Sequence, residues 1–222
     1  LTHWGPCMGA GVGIAQGMSH KVKDRVITAF IGDSTFFHAG LQPIMNAVYQ
    51  DANVLLIVLD NSWVAMTGHQ PTPGTPMDLD GNPTERNLSI VELLRAMGVK
   101  HLRLVDPYQP KEMIQAIQDA LEQPGFKVLV AQQECARQVE RRQRRHPSPV
   151  RSYYQIEPER CQKCDICFLQ FGCPAIATRT EGAETIYYID EGRCTGCGAC
   201  KHLCPNSAIL TAEVNVHLAE AR

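Results

Sequence analysis

The sequence predicts an α/β protein: an open parallel sheet with helices on both faces, followed by a small α+β unit built around cysteines. Three observations predict it. Near-continuous apolar runs at about 25–31, 54–59, 101–105 and 127–132 read as strands covered on both faces. Helical stretches alternate with them across short links, as parallel strands require. Finally, eight of the ten cysteines fall in the last third of the chain, in two similar blocks.

Along the chain, residues 9–20 place Gly9, Gly11, Gly13 and Gly17 among small apolar residues, which suits a helix or turn packed close to another backbone or a ligand. Their spacing does not fit G-x-G-x-x-G. The first strand ends in "IGDSTFFHAG", residues 31–40. A helix is expected over 39–51, then the second strand. Residues 61–87, rich in Pro, Gly, Thr and Asn, have no periodicity, and a loop that long inside a compact domain is usually functional. The helix at 89–97 has Ser89 and Glu92 in capping-box spacing and Gly98 past its end. The helix at 110–122 has Pro110 near its start and Pro124-Gly125 beyond it. Residues 1–134 therefore read as one domain, 135–151 as a basic linker, 152–212 as the cysteine unit and 213–222 as a tail. The arginines of 135–151 read as a solvated linker or helix end, ahead of a dock for an acidic partner.

Composition excludes several classes. With 222 residues, 44% apolar content and a net charge of −2, the chain gives no general reason to expect nucleic acid or a membrane as partner. No apolar run approaches the length needed to cross a bilayer. The sequence starts at Leu1, and "WGPC" at 4–7 does not resemble a signal peptide. A cytoplasmic protein whose front end is missing is expected. A disulfide framework would also use a dense, even set of cysteines, but the rest of the chain reads as an ordinary α/β protein with no export signal.

The two blocks are "CQKCDICFLQFGCP" (161–174) and "CTGCGACKHLCP" (194–205). Each is C-x2-C-x2-C followed by Cys-Pro, so the unit is an internal duplication. Three cysteines on a tight loop can face one cubane while the fourth points to the other cluster. This assigns Cys161, Cys164, Cys167 and Cys204 to one cluster, and Cys194, Cys197, Cys200 and Cys173 to the second. Gly196 and Gly198 let backbone amides approach the sulfurs. Structural zinc prefers two separated pairs to two triplets with an appended Cys-Pro. The segment resembles bacterial-type ferredoxin domains with two [4Fe-4S] clusters, and short strands are expected near 174–179 and 185–190. Five residues, not three, separate Cys167 from Cys173, which enlarges one loop.

In open α/β sheets ligands gather beyond the carboxyl ends of the strands. Asp33 stands just past one such end and Asn61 past the next, one strand–helix–strand step away. A carboxylate, an amide oxygen and a loop carbonyl suit Mg²⁺, an ion that keeps phosphate oxygens in its shell. Gly32 would permit a tight exit from the strand. By itself Gly-Asp after a strand is commonly a turn; Asn61 and the loop "VAMTGHQPTPG" turn the reading toward a metal. The pattern resembles the diphosphate-binding half of thiamine-diphosphate enzymes, with Ser34 in place of the usual second glycine. That resemblance implies Mg²⁺ held by the side chains of Asp33 and Asn61 and by the Trp63 carbonyl. It also places Thr67, Gly68, His69 and Gln70 near the cofactor, and Cys7, Met8 and Gly9 just before the helix beneath the diphosphate. His69 is read evenly as a cofactor contact or a loop residue, His38 as a loop or helix-start residue, Phe36 and Phe37 as core, and Cys135 as a small buried residue.

Together the two halves resemble the 2-oxoacid:ferredoxin oxidoreductase family, most closely the large subunit of its indolepyruvate type. The resemblance implies thiamine diphosphate, Mg²⁺ and two [4Fe-4S] clusters, oxidative decarboxylation of an aryl pyruvate to an acyl-CoA, ferredoxin as acceptor and a smaller beta subunit. It also implies a further, aminopyrimidine-binding domain with an activating glutamate, which no acid in this sequence can be assigned to supply. Pyruvate- or 2-oxoglutarate-type enzymes, an electron-transfer module with a degenerate thiamine-binding scaffold, and a non-redox decarboxylase are the rival readings.

Overall fold

The computed structural model describes residues 7–145, 150–182 and 184–215. Trp4, the linker prolines Pro147 and Pro149, and tail residues 216–222 lie outside them. The chain divides into two compact units, Leu1–Pro107 with Glu112–Cys135, and Tyr108–Lys111 with Ala136–Arg222.

In the first unit, helix α1 (Ala10–Ser19) leads into strand β1 (Ile27–Gly32). A helical stretch follows as α2 (Asp33–Thr35), a wide π-turn (Phe36–Gly40) and α3 (Leu41–Tyr49). Then come β2 (Val54–Asp60), the short strands β3 (Trp63–Val64) and β4 (Gln70–Pro71), α4 (Ile90–Ala96), β5 (His101–Val105), α5 (Pro110–Glu122) and β6 (Lys127–Gln132). The sheet order is β1-β2-β6-β5, all parallel. Such a sheet buries a central strand on both sides, and β2 does this residue by residue. Val54, Leu56 and Val58 pack with Val12 and Ala15 of α1, Ile44 and Ala47 of α3, and Ile90 and Leu94 of α4. Leu55 and Ile57 face Ala116 and Ala120 of α5.

Three features differ from expectation. The apolar run of β1 is not covered on both faces: Ala29 and Ile31 are buried while Phe30 is 62% exposed, because among the described residues the second face is covered by α5 alone. The helix expected from residue 39 already starts at Asp33. Pro43 cannot donate to the Ala39 carbonyl and would crowd it, and the π-turn just before it loosens the helix at that point. The 61–87 loop contains the β3–β4 hairpin, and the Thr75 hydroxyl donates to the Ser62 carbonyl and ties the loop to the end of β2.

The second unit begins with a helix, α6 (Ala136–Arg144), where a solvated linker or helix end was expected; Glu140 is buried and pairs with Arg144 at 2.8 Å. Strands β7 (Val150–Ile156) and β10 (Ile209–Asn215) pair antiparallel, as do β8 (Ile176–Glu181) and β9 (Glu184–Ile189). Strand β10 thus runs into the stretch expected to be tail. The short helix α7 (Ala199–Leu203) follows the second cysteine triplet. After the first triplet the chain makes a π-turn, Ile166–Gln170, closed by Phe171 N–H donating to the Ile166 carbonyl at 2.9 Å. This wider turn takes up the longer gap before Cys173.

Candidate cofactor sites

The register of β1 on β2 pairs Gly32 with Leu59, so both strands end at one level. Asp33 and Asp60 therefore meet at the carboxyl edge of the sheet, 4% and 8% exposed. Asp60 is satisfied: Oδ1 accepts the Ser62 N–H at 3.0 Å and Oδ2 the Gln132 side-chain amide at 2.7 Å. Asp33 is only half satisfied. Its Oδ1 accepts the Ser34 N–H at 2.7 Å, but its buried Oδ2 has no partner. Burial pushes its carboxyl up to about 6, with the Asp60 charge adding, against the pull of the Ser34, Asn61 and Ser62 N–H groups. Those N–H groups place the Asn61–Ser62 turn beside Asp33.

Asn61 Oδ1 accepts the Trp63 N–H at 2.9 Å, an Asx-turn that leaves the oxygen a second lone pair. The Trp63 indole is buried and donates to Glu134 at 3.2 Å. Its register partner Pro71 has no N–H to offer the Trp63 carbonyl. A buried, unpaired carboxylate oxygen at the carboxyl end of a strand fits a hard divalent cation. Gly32 is not needed for a tight exit, since its φ of −81° is ordinary. A Cβ there would meet nothing within 4 Å, so the space above the strand end is open to a ligand. Ser34 lies in right-handed helix and needs no glycine.

The other expected contacts divide. Gly9 (φ +89°) opens α1 against the helix that follows Asp33: a Cβ there would stand 3.0 Å from Ala39 and 3.5 Å from Thr35. Cys7 and Met8 are exposed. Thr67, Gly68 and Gln70 are exposed, with Gln70 closing onto the Thr67 carbonyl at 2.8 Å. His69, in left-handed backbone at φ 68°, turns to Cys135, Nε2 to Sγ 3.3 Å. Cys135 is half-buried rather than buried, and its N–H donates to the Asn61 carbonyl at 3.2 Å. Asp60 was the residue the sequence reading missed, although it ends an apolar run as Asp33 does. Nothing local marks the approach of Cys135 to His69.

In the second unit the cysteines gather into the two crossed quartets. Burial pushes the Cys167 thiol up to about 11, and Cys161, Cys204 and Cys164 add to the shift. Burial pushes Cys200 up to about 12, with Cys173, Cys197 and Cys194 adding. The first quartet lines one cavity with Ile156, Asp165 and Tyr187. Among the described residues no three His, Cys, Asp or Glu side chains converge on a point as a single metal ion requires. A cubane needs the wider ring, one thiolate for each of four irons. Gly196 and Gly198 serve packing as well: a Cβ at Gly196 would stand 2.4 Å from the Ser152 carbonyl, and one at Gly198 2.8 Å from the Tyr154 hydroxyl.

Comparison with known proteins gives these sites a family. Residues 2–131 match the family described as thiamine pyrophosphate enzyme, C-terminal TPP binding domain, and residues 187–210 match the 4Fe-4S binding domain. The chain is 40% identical over 209 residues to indolepyruvate oxidoreductase subunit IorA of Archaeoglobus fulgidus, covering 94% of this chain and 32% of that protein. It is 39% identical over 218 residues to the same-named subunit of Pyrococcus horikoshii, covering 90% and 32%. It thus spans about a third of the length of these curated relatives. The fold is shared with a 2-oxoglutarate:ferredoxin oxidoreductase from Magnetococcus marinus, at a TM-score of 0.51 and 19% identity, over 57% of this chain and 45% of that one. No helix among the described residues is long and apolar enough to cross a membrane. The chain belongs to the thiamine pyrophosphate enzymes, through a C-terminal TPP-binding domain that is followed by a 4Fe-4S domain.

Proposed function

We propose that this chain is the C-terminal part of the large subunit of a 2-oxoacid:ferredoxin oxidoreductase, acting on an aryl pyruvate such as indolepyruvate and on coenzyme A. The observation that carries the proposal is one chain with two kinds of site: a buried, half-satisfied Asp33 beside Asn61, and two crossed cysteine quartets. When bound, thiamine diphosphate supplies the carbanion that attacks the 2-oxoacid carbonyl, and two [4Fe-4S] clusters take the electrons singly toward ferredoxin.

This chain's residues hold and orient. Asp33 Oδ2, Asn61 Oδ1 and the Trp63 carbonyl would hold Mg²⁺, and the open side of Gly32 admits the diphosphate. The buried Trp63 indole, pinned to Glu134, fixes the turn that carries Asn61. Cys161, Cys164, Cys167 and Cys204 would hold one cluster, and Cys194, Cys197, Cys200 and Cys173 the other. The acid that activates thiamine would come from an aminopyrimidine-binding domain outside this chain, and a smaller beta subunit would complete the assembly.

The test uses the complete enzyme with thiamine diphosphate, Mg²⁺ and coenzyme A, following cluster absorbance after a 2-oxoacid is added. Indolepyruvate is expected to bleach the clusters faster than pyruvate or 2-oxoglutarate. Faster bleaching by either of the latter would move the substrate assignment. Bleaching by dithionite but by no 2-oxoacid would make the first unit a scaffold.

A further inference from the structure

The duplication is not symmetric where it touches the clusters. Cys161-Gln-Lys-Cys-Asp-Ile-Cys167 aligns with Cys194-Thr-Gly-Cys-Gly-Ala-Cys200, so Lys163 and Asp165 occupy the places of Gly196 and Gly198. All four backbones are left-handed, with φ 53° and 61° in the first loop and 72° and 79° in the second. Glycine adopts this conformation freely and aspartate occasionally, whereas lysine is strained there. Strain of this kind persists where neighbours over-determine it, and it points to a use.

The Tyr187 hydroxyl donates to Asp165 Oδ1, and the Tyr187 ring packs edge-on against Phe168 with centroids 5.9 Å apart. Asp165 and Tyr187 both line the cavity of the first quartet. The Tyr187 hydroxyl is raised to about 12, first by Asp165, and the nearby Cys161 and Cys167 add to the shift. Lys163 also lines this cavity, but it pairs with Glu184 at 3.2 Å, so its charge is offset. The second loop carries no carboxylate at the matching place: its two glycines pack on β7 at Ser152 and Tyr154, and the neighbouring Tyr153 is hydrogen-bonded to Glu191.

We infer that the Asp165–Tyr187 pair sets the reduction potential of the first-quartet cluster, and that Gly198 leaves the second loop without a carboxylate at that place. The inference rests on reading the quartets as cluster ligands. A reduced cluster carries one more negative charge, so a carboxylate in its cavity disfavours the electron and lowers the midpoint. The hydroxyl that donates to Asp165 draws part of that field away from the cluster. Asp165 and Tyr187 are thus potential-setting residues of opposite effect.

The experiment is a redox titration followed by electron paramagnetic resonance on the full chain, reconstituted anaerobically with iron and sulfide. Asp165→Asn is expected to raise the midpoint of one cluster and leave the other unchanged. Asp165→Gly, which copies the second loop, should do the same. Tyr187→Phe should lower that same midpoint. Unchanged midpoints in both Asp165 variants, equal shifts in both clusters, or a Tyr187→Phe shift upward would overturn the inference. Iron and sulfide content separates this from the underlying reading: wild-type protein that assembles fewer than two clusters contradicts the quartets, whatever the midpoints do.

Discussion

Asp33 is the residue on which the first unit turns. Folded, it keeps its proton up to about 6, against an ordinary 3.8, because burial penalises the charge. Between those values the folded chain binds more protons than the unfolded one, so stability falls as pH rises through the window. At neutral pH the ionised, ligand-free chain therefore carries a buried charge that opposes folding. A divalent cation would relieve it. Added Mg²⁺ with thiamine diphosphate should therefore raise the melting temperature at pH 7.5, and the increment should fade as pH drops below about 6; an increment independent of pH would remove Asp33 from the site. Asp33 was legible in the sequence because an acid ends a buried apolar run and an asparagine answers it one crossover later. Its half-satisfied carboxylate was not legible, since that depends on the packing around it. The turn of His69 toward Cys135 was hidden for the same reason, being a contact between distant segments.

At the scale of elements, the cysteine loops give the clearest tests. If each cluster takes its fourth ligand from the other repeat, Cys167→Ser/Cys204→Ser removes two ligands of one cluster and should leave about half the iron. Cys167→Ser/Cys173→Ser strikes both quartets and should lose more. More iron in Cys167→Ser/Cys173→Ser than in Cys167→Ser/Cys204→Ser, measured after anaerobic reconstitution, would uncross the assignment. Glycines separate packing from conformational freedom. Gly196→Ala meets the Ser152 carbonyl at 2.4 Å in left-handed backbone and should cost about 1–3 kcal/mol with loss of the second cluster. Gly13→Ala on α1 meets nothing within 4 Å and should stabilise that helix by about 0.5–1 kcal/mol, read from thermal unfolding. The four sheet strands, the capped α4 and α5 were readable because apolar period and punctuation agree there. The two π-turns and α6 were not. A π-turn answers Pro43 or a loop-length difference rather than a local pattern, and α6 buries Glu140 in a segment whose arginines read as solvated.

For the whole molecule, two units with different chemistry stand in one chain, and each was recognisable from short motifs. What the sequence overstated was coverage: the second face of β1 leaves Phe30 62% exposed, which an apolar run cannot reveal. The proposed function requires that the first unit keep an unfavourable buried carboxylate in order to bind Mg²⁺-diphosphate. The direct measurement pairs calorimetric titration of thiamine diphosphate, with Mg²⁺ present, with thermal melting of wild type and Asp33→Asn at pH 7.5. Asp33→Asn is expected to melt higher than wild type without ligand and to lose Mg²⁺-dependent binding. A variant that melts lower and binds as well as wild type would contradict it.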